Sequence, residues 1–106
     1  MMEDCVFCKI IRNEIPRQII YEDEEFLVFP SNQPVADIHW LIVPKRHVET
    51  FLDLDNETLG MTKIAQNLIK EKKLTGAYRL CFNGGKYQEV MHVHLHLLAG
   101  EIKSYT

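Results

Sequence analysis

The sequence lacks any uninterrupted apolar stretch of the roughly 18 residues that a membrane-spanning helix requires. Its first four residues, Met-Met-Glu-Asp, lack the basic-then-apolar order of a signal peptide. The chain also lacks internal repeats, low-complexity segments and recognisable linkers. These absences lead us to expect a cytoplasmic protein that folds as one domain over residues 1–106.

The sequence has no excess of basic residues, since 12 Lys and Arg face 15 Asp and Glu for a net charge of −3. Proteins that bind the phosphate backbone of nucleic acids normally carry a basic surface, so no nucleic-acid partner is expected. A small phosphorylated ligand remains compatible with this charge, because backbone N–H groups and a few side chains can hold it.

Hydrophobic periodicity predicts an α+β domain with a mainly antiparallel sheet. A short helix covers residues 4–13, with Asp4 as its cap, and a long helix covers residues 56–74. The predicted strands cover residues 18–21, 25–29, 38–43, 77–82 and 90–98, and the first two form a hairpin.

The long helix is predicted from its apolar stripe and its boundary residues. Asp55 is the expected N-cap and Gly76 the expected end. Gly60 lowers helix propensity by up to ~1 kcal/mol relative to Ala. The stripe consists of Leu59, Ile64, Ala65, Leu68 and Ile69.

Three histidines alternate with apolar residues in the last predicted strand, at positions 92, 94 and 96. Successive strand residues point to opposite faces, so all three imidazoles should share one face. Three interpretations are open: incidental surface histidines, a His-x-His metal site, or nucleophilic catalysis by one imidazole that the others position.

Two further motifs accompany these histidines. Asn83-Gly84-Gly85 is typical of a tight hairpin, yet the longer loop up to Glu89 can also present backbone N–H groups to a phosphate. Cys5 and Cys8 form a Cys-x-x-Cys pair that, with two more ligands such as His39 and His47, makes a tetrahedral zinc site. Two half-buried helix cysteines are the alternative, and redox use is less expected because no thioredoxin-like pattern surrounds the pair.

Residues 5–100 resemble the Hint-like branch of the histidine triad (HIT) family almost end to end. The resemblance rests on the run from His92 to Leu98, on the segments 5–16, 21–29 and 39–47, and on residues 78–83. It implies a HIT-like fold with one long helix and a short N-terminal helix. It also implies a homodimer that joins two five-stranded sheets into one.

The resemblance further implies hydrolysis of purine nucleotide phosphoramidates, or related AMP or GMP conjugates, at the α-phosphate. His94 would be the nucleophile, held by the carbonyl of His92, while His96 would bind phosphate oxygens and His39 would hold or relay a proton. The nucleotide would contact Asn83, Gln88, Glu89, Val90, Ser31 and Asn32, with Phe7, Ile11 and Phe29 around its base.

The sequence departs from the family pattern at three places. Ser31 stands where relatives carry an acid that grips the ribose, so its contact has no charge assistance. Glu89 stands where many relatives carry a serine, and its carboxyl can act as general acid. The chain ends six residues after Gly100, in a tail that normally shapes leaving-group selectivity.

Some relatives bind zinc through residues that match Cys5, Cys8, His47 and His92. Such an ion would be structural, since four protein ligands leave no open position. No organic cofactor is implied. Three other functions stay open: a dinucleoside polyphosphate hydrolase, a non-catalytic nucleotide-binding or interaction protein, and a metal-dependent hydrolase that uses all three histidines.

Overall fold

The computed structural model describes residues 4–103, so the last residues of the tail lie outside the described part. Two single 3₁₀ turns, Phe51–Asp53 and Gly85–Tyr87, accompany the regular elements. No helix within 4–103 is long and apolar enough to cross a membrane. In chain order the elements are α1 (Val6–Ile11), β1 (Tyr21–Glu22), β2 (Phe26–Pro30), β3 (Ala36–Pro44), α2 (Glu57–Glu71), β4 (Tyr78–Phe82) and β5 (Leu95–Ile102).

The five strands of the described chain form one antiparallel sheet in the order β1-β2-β3-β5-β4. This confirms the predicted α+β fold and its first hairpin. One row across the sheet joins Phe29, Leu41, His96 and Cys81 on four neighbouring strands. The row places a histidine of β5 on the same face as the apolar side chains of β2 and β3.

The two faces of the sheet are covered by different helices. Val28 of β2 and Leu95 and Leu97 of β5 pack with the buried face of α2. The alternate residues of β2, Leu27 and Phe29, pack with α1 on the other face. Because side chains alternate along each strand, the imidazole of His96 points away from α2 and toward the side that α1 covers.

The histidine segment is shorter as a strand than its sequence predicts. Strand β5 begins at Leu95, and His92 and His94 precede it. The register that pairs Ile42 with Leu95 would set Val93 opposite Pro44, which has no N–H to donate. The ladder therefore stops there, and the Val93 N–H donates instead to the carbonyl of Val48 at 2.7 Å.

Helix α1 starts later than predicted and uses a different cap. Its N-cap is Cys5, whose Sγ accepts a hydrogen bond from the Cys8 N–H at 3.4 Å, so the assignment of Asp4 was wrong. The helix ends before Asn13, which takes a left-handed conformation with φ 62°. The cap thus places two cysteines at the start of one short helix.

Helix α2 differs from its prediction at both ends and on one face. Its N-cap is Asn56 rather than Asp55. The helix ends before Lys73, which takes the left-handed conformation (φ 57°) expected of Gly76. Leu59 is 79% exposed and does not belong to the buried stripe, because it lies about 200° around the helix from fully buried Met61.

Gly60 is required by packing, although it lowers helix propensity. A Cβ atom at this position would lie 2.5 Å from Cε2 of the buried Phe26 ring. Glycine therefore lets α2 approach the sheet closely.

We expect Gly60→Ala to destabilise the protein by about 1–3 kcal/mol, because overpacking outweighs the gain of about 1 kcal/mol in helix propensity. Urea unfolding measures the change. Lys63→Ala, on the exposed side of the same helix, is the control and should shift stability by less than about 0.5 kcal/mol. Unchanged or increased stability of Gly60→Ala would show that the Phe26 ring can move aside.

Candidate active site and metal centre

A cavity of about 560 Å³ opens on the side of the sheet that α1 covers. His39, His94, His96 and Asn83 line one part of it, and Phe7, Ile10, Phe29 and Leu41 form an apolar wall. Ser31, Asn32, Glu89 and Val90 also line it, as does Arg17. The cleft thus combines imidazoles with an aromatic surface, as a site for a small aromatic ligand requires.

His94 is held in one orientation at this cleft. Its Nδ1 lies 2.8 Å from the backbone oxygen of His92, and a carbonyl can only accept, so Nδ1 carries the proton. Its ring also meets the Phe7 ring edge-on, with centroids 5.0 Å apart and an interplanar angle of 87°. The remaining nitrogen, Nε2, therefore keeps its lone pair.

His39 and His96 form a hydrogen-bonded pair whose direction the backbone sets. The Val35 N–H donates to His39 Nδ1 at 3.2 Å, so the His39 proton is on Nε2. That nitrogen lies 2.9 Å from His96 Nδ1 and donates to it. The proton of His96 is then on Nε2. The Asn83 amide nitrogen, 3.3 Å away, is also a donor and cannot accept it, so both N–H groups are left for an acceptor in the cleft.

All three cleft imidazoles are held in the neutral form. Burial lowers the pKa of His94 and of His39, and it lowers the pKa of His96 to about 4, with the neighbouring His94 and His39 as further causes. For His94, hydrogen bonding to the His92 backbone and the charge of Glu89 partly oppose that shift. At neutral pH the site therefore offers an imidazole lone pair rather than an imidazolium.

Cys5, Cys8, His47 and His92 form a second centre, and their ligand atoms all lie within 4.8 Å of one another. The His92 Nδ1 is 3.4 Å from the Cys5 sulfur, 3.6 Å from the Cys8 sulfur and 3.2 Å from the His47 Nδ1. The Cys8 sulfur is 3.3 Å from the His47 Nδ1. A tetrahedral zinc ion with ordinary Zn–N and Zn–S bonds separates its ligands by about 3.3–3.8 Å, so this donor set fits zinc.

The chemistry of these four side chains also favours a cation. The His92 Nε2–H donates to the Pro44 carbonyl at 2.7 Å, which leaves Nδ1 as the free ligand atom. Burial lowers the pKa of His92 to about 4, and a metal requires the neutral form. Burial, with Cys5 beside it, raises the pKa of Cys8 to about 11, so a positive ion is needed to favour its thiolate.

The triad histidines therefore belong to two centres rather than one. His92 faces the cysteines, whereas His94 and His96 face the cleft. His39, considered as a metal ligand from the sequence, pairs with His96 instead. This arrangement does not support the alternative in which all three histidines hold one catalytic metal.

Two predicted ligand contacts do not line the cleft. Ile10 lines it in place of Ile11, which packs against the core beneath α1. The buried Gln88 amide donates to the carbonyls of Glu49 at 2.6 Å and Val90 at 3.0 Å, and its oxygen has no partner in the described chain. The Gln88 side chain thus stabilises the loop between the 3₁₀ turn Gly85–Tyr87 and the histidines.

Two polar groups that set the electrostatics of the site were among those that sequence reasoning missed. Arg17 lines the cleft, with Cζ 5.3 Å from the Phe29 ring centroid and a hydrogen bond to the Pro30 carbonyl. The Val35 N–H sets the tautomer of His39. No motif marks either residue. The position of Arg17 directly after Pro16, ahead of a strand that contains Phe29, is only a weak indication that it lines a site.

The fold agrees with that of known proteins. Residues 4–105 match the family described as Scavenger mRNA decapping enzyme C-term binding. Protein HitA of Neisseria gonorrhoeae is 38% identical over 92% of this chain and 96% of its own. Among solved structures, a HIT family hydrolase from Legionella pneumophila is 37% identical, covers 96% of this chain and 97% of its own, and has a TM-score of 0.88. The chain therefore belongs to the histidine triad family.

Two other similar structures are a nucleotide-binding protein and a zinc-bound protein. A histidine triad nucleotide-binding protein from Candida albicans is 34% identical over 89% of this chain and 73% of its own, with a TM-score of 0.82. A Zn-bound histidine triad family protein from Mycobacterium smegmatis is 32% identical over 95% of this chain and 78% of its own, with a TM-score of 0.84. The fold of this chain is thus one that hydrolases and nucleotide-binding proteins share.

The pair formed by buried His39 and half-buried His96 predicts a loss of stability in mild acid. A histidine whose folded pKa is about 4, against 6.5 when unfolded, stays neutral in the folded protein after the unfolded chain has been protonated. Its contribution is complete above about pH 6.5 and is lost as the pH falls toward 4. Because the His96 ring is partly exposed, we expect its titration to lower the free energy of unfolding by about 1–2 kcal/mol between pH 7 and 4.5, measured by urea unfolding.

The His96→Asn variant is the control for this prediction. It lacks the titrating group, so its stability should fall less steeply over the same pH range, even if the variant is less stable at pH 7. Equal slopes for the wild type and the variant would contradict the assignment of a neutral, half-buried His96.

Proposed function

We propose that the chain is a nucleotidyl hydrolase that cleaves purine nucleotide phosphoramidates, or related conjugates, at the α-phosphate. The observation that carries the proposal is the 2.8 Å bond from His94 Nδ1 to the His92 carbonyl, which leaves a neutral, oriented Nε2 at the cleft. The membership of the chain in a family that includes hydrolases and a nucleotide-binding protein supports it.

In the first step, the lone pair of His94 Nε2 attacks the α-phosphorus while the bond from phosphorus to the leaving group breaks. The new P–N bond gives the imidazole a positive charge, which the His92 carbonyl stabilises through the Nδ1–H. The Nε2–H of His96 donates to a phosphate oxygen. The leaving amine takes its proton from solvent at the open rim of the cleft, where the Glu89 carboxylate accepts a hydrogen bond from it.

In the second step, water attacks the phosphorus and the P–N bond to His94 breaks. The Glu89 carboxylate takes a proton from that water and releases it to solvent, which restores the starting state of both residues. The products are the free amine and a nucleoside monophosphate.

The lining of the cleft supports a purine nucleotide as ligand. Phe7 and Phe29 meet edge to face, with centroids 5.3 Å apart, and form part of an apolar wall suited to a flat base. Ser31 and Asn32 would face the ribose, and Asn83 and Val90 would lie near the phosphate. Ser31 has no charge, so its hydrogen bond to the ribose would be weaker than one from a carboxylate.

We also propose that zinc occupies the second centre as a structural ion. Cys5, Cys8, His47 and His92 would hold it, and when bound it would cross-link α1 to the histidine segment. Four protein ligands leave no position for substrate.

A homodimer is the proposed assembly of this single domain. Strand β4 lies at the edge of the sheet, where Tyr78 and Leu80 are exposed. Leu59 on α2 is exposed as well. These apolar side chains would be covered if two copies joined along α2 and β4 into one continuous sheet.

His94→Ala should abolish turnover of an adenosine phosphoramidate, because it removes the attacking atom. We expect kcat/KM to fall by a factor on the order of 10³ or more, measured by release of the amine. Mass spectrometry of rapidly quenched wild type should show one added nucleotidyl group, which the variant lacks. Met91→Ala, an exposed position in the same segment, should retain activity.

Turnover that survives His94→Ala would contradict the covalent mechanism. Tight AMP binding by the wild type without turnover of any conjugate would instead identify a nucleotide-binding protein.

Purified protein should contain about one zinc ion per chain by elemental analysis. Cys8→Ser should lower the zinc content and the Tm, because it removes a ligand from the buried centre. Cys81→Ser is the matched control: Cys81 lies on β4, outside the centre, and should leave both unchanged. Protein with intact cysteines and no zinc would contradict the proposal.

A further inference from the structure

Arg17 brings a positive charge to the cleft that no acidic side chain balances. Its side chain is half-buried, and its guanidinium packs over the Phe29 ring with Cζ 5.3 Å from the centroid. It donates one hydrogen bond, to the Pro30 carbonyl. Among residues 4–103, no carboxylate lies within ion-pair distance of it.

Arg17 and the histidines lie on opposite sides of the apolar wall. Phe29 pairs with Leu41, and Leu41 pairs with His96, so two strand spacings, about 10 Å, separate Phe29 from His96. Arg17 precedes β1, which runs along the outer side of β2, away from β3. The order across the face is therefore Arg17, Phe29, Leu41 and His96.

This order fixes which part of a nucleotide would meet Arg17. With the phosphorus at His94 and His96, the base lies against Phe29 and Leu41, and its six-membered ring, the part farthest from the sugar, lies toward the guanidinium. A guanidinium has five N–H donors in a planar fork, and the Pro30 carbonyl occupies one of them. The free donors are matched to an edge that presents two acceptors side by side.

The purine bases differ on the side of this ring that carries the C6 substituent, next to N7. Guanine and hypoxanthine present the O6 and N7 acceptors, whereas adenine presents the N7 acceptor beside the N6 donor. An adenine amino group would face the N–H groups of Arg17 and leave one of them without a partner. The free donors of the guanidinium thus favour a 6-oxopurine.

We propose that Arg17 selects 6-oxopurine nucleotides over adenine nucleotides by donating to O6 and N7. The selection rests on the proposed function, since it assumes that the nucleotide phosphate lies at His94 and His96. Arg17 touches the base and not the reacting atoms, so its role is specificity rather than catalysis.

Isothermal titration calorimetry with GMP, IMP and AMP tests the selection. For the wild type, GMP and IMP should each bind at least about fivefold more tightly than AMP. Arg17→Met keeps the packing of the side chain stem on Phe29 but removes the donors, so the three affinities should agree to within about twofold. Lys86→Met, which removes the other cation that lines the cleft, should preserve the wild-type preference.

Kinetics separates this role from a structural one. Arg17→Met should raise KM for a guanosine phosphoramidate by at least about fivefold, with kcat within about twofold of the wild type, because the chemistry lies about two strand spacings away. Thermal unfolding should show the same Tm for the variant and the wild type.

Three outcomes would overturn the selection. Equal affinities of wild type for GMP and AMP would do so, as would an Arg17→Met variant that keeps the preference. Tighter binding of adenosine 3′,5′-bisphosphate than of AMP, dependent on Arg17 and without a guanine preference, would show that Arg17 binds a sugar phosphate instead. Each can occur while His94-dependent turnover persists, so failure of the selection is distinguishable from failure of the proposed hydrolysis.

Discussion

The two centres of this protein depend on one fully buried imidazole. The ring of His92 donates from Nε2 to the Pro44 carbonyl and presents Nδ1 to Cys5, Cys8 and His47. The backbone oxygen of the same residue accepts from His94. A buried polar group is costly unless it is paired, so the ring of His92 cannot rotate without leaving partners unsatisfied. Its fixed position also fixes the carbonyl that orients His94.

Helix α1 extends this coupling to the wall of the cleft. Phe7 lies between Cys5 and Cys8 in the chain, and its ring meets the rings of Phe29, His92 and His94. One helical turn therefore supplies two sulfur atoms to the second centre and an aromatic surface to the first. An ion bound by those sulfurs would restrain α1, which on its own is too short to be stable. Such an ion would also hold Phe7 in place at the cleft.

The sequence predicted the sheet and most of the cleft because alternation and spacing are local properties. It did not predict where β5 begins, since that depends on Pro44 of the neighbouring strand β3 lying opposite Val93. From the sequence, Gly60 only lowers helix propensity, because the residue that it contacts in the fold, Phe26, is distant in the chain. Arg17 was missed for the same reason: its partners, Phe29 and the Pro30 carbonyl, are reached only through the pairing of β1 with β2. Local patterns place side chains on faces, whereas contacts between elements decide their roles.

Burial gives the cleft its chemistry and also its sensitivity to acid. A charged imidazole has no lone pair on either nitrogen, so nucleophilic attack requires the neutral form that burial favours. The chain from the Val35 N–H through His39 to His96 has a single consistent direction only while both rings are neutral. Protonation of either ring would place two N–H donors against each other and break this chain of hydrogen bonds. The desolvation that keeps these imidazoles neutral is therefore the same desolvation that makes the folded state lose stability in mild acid.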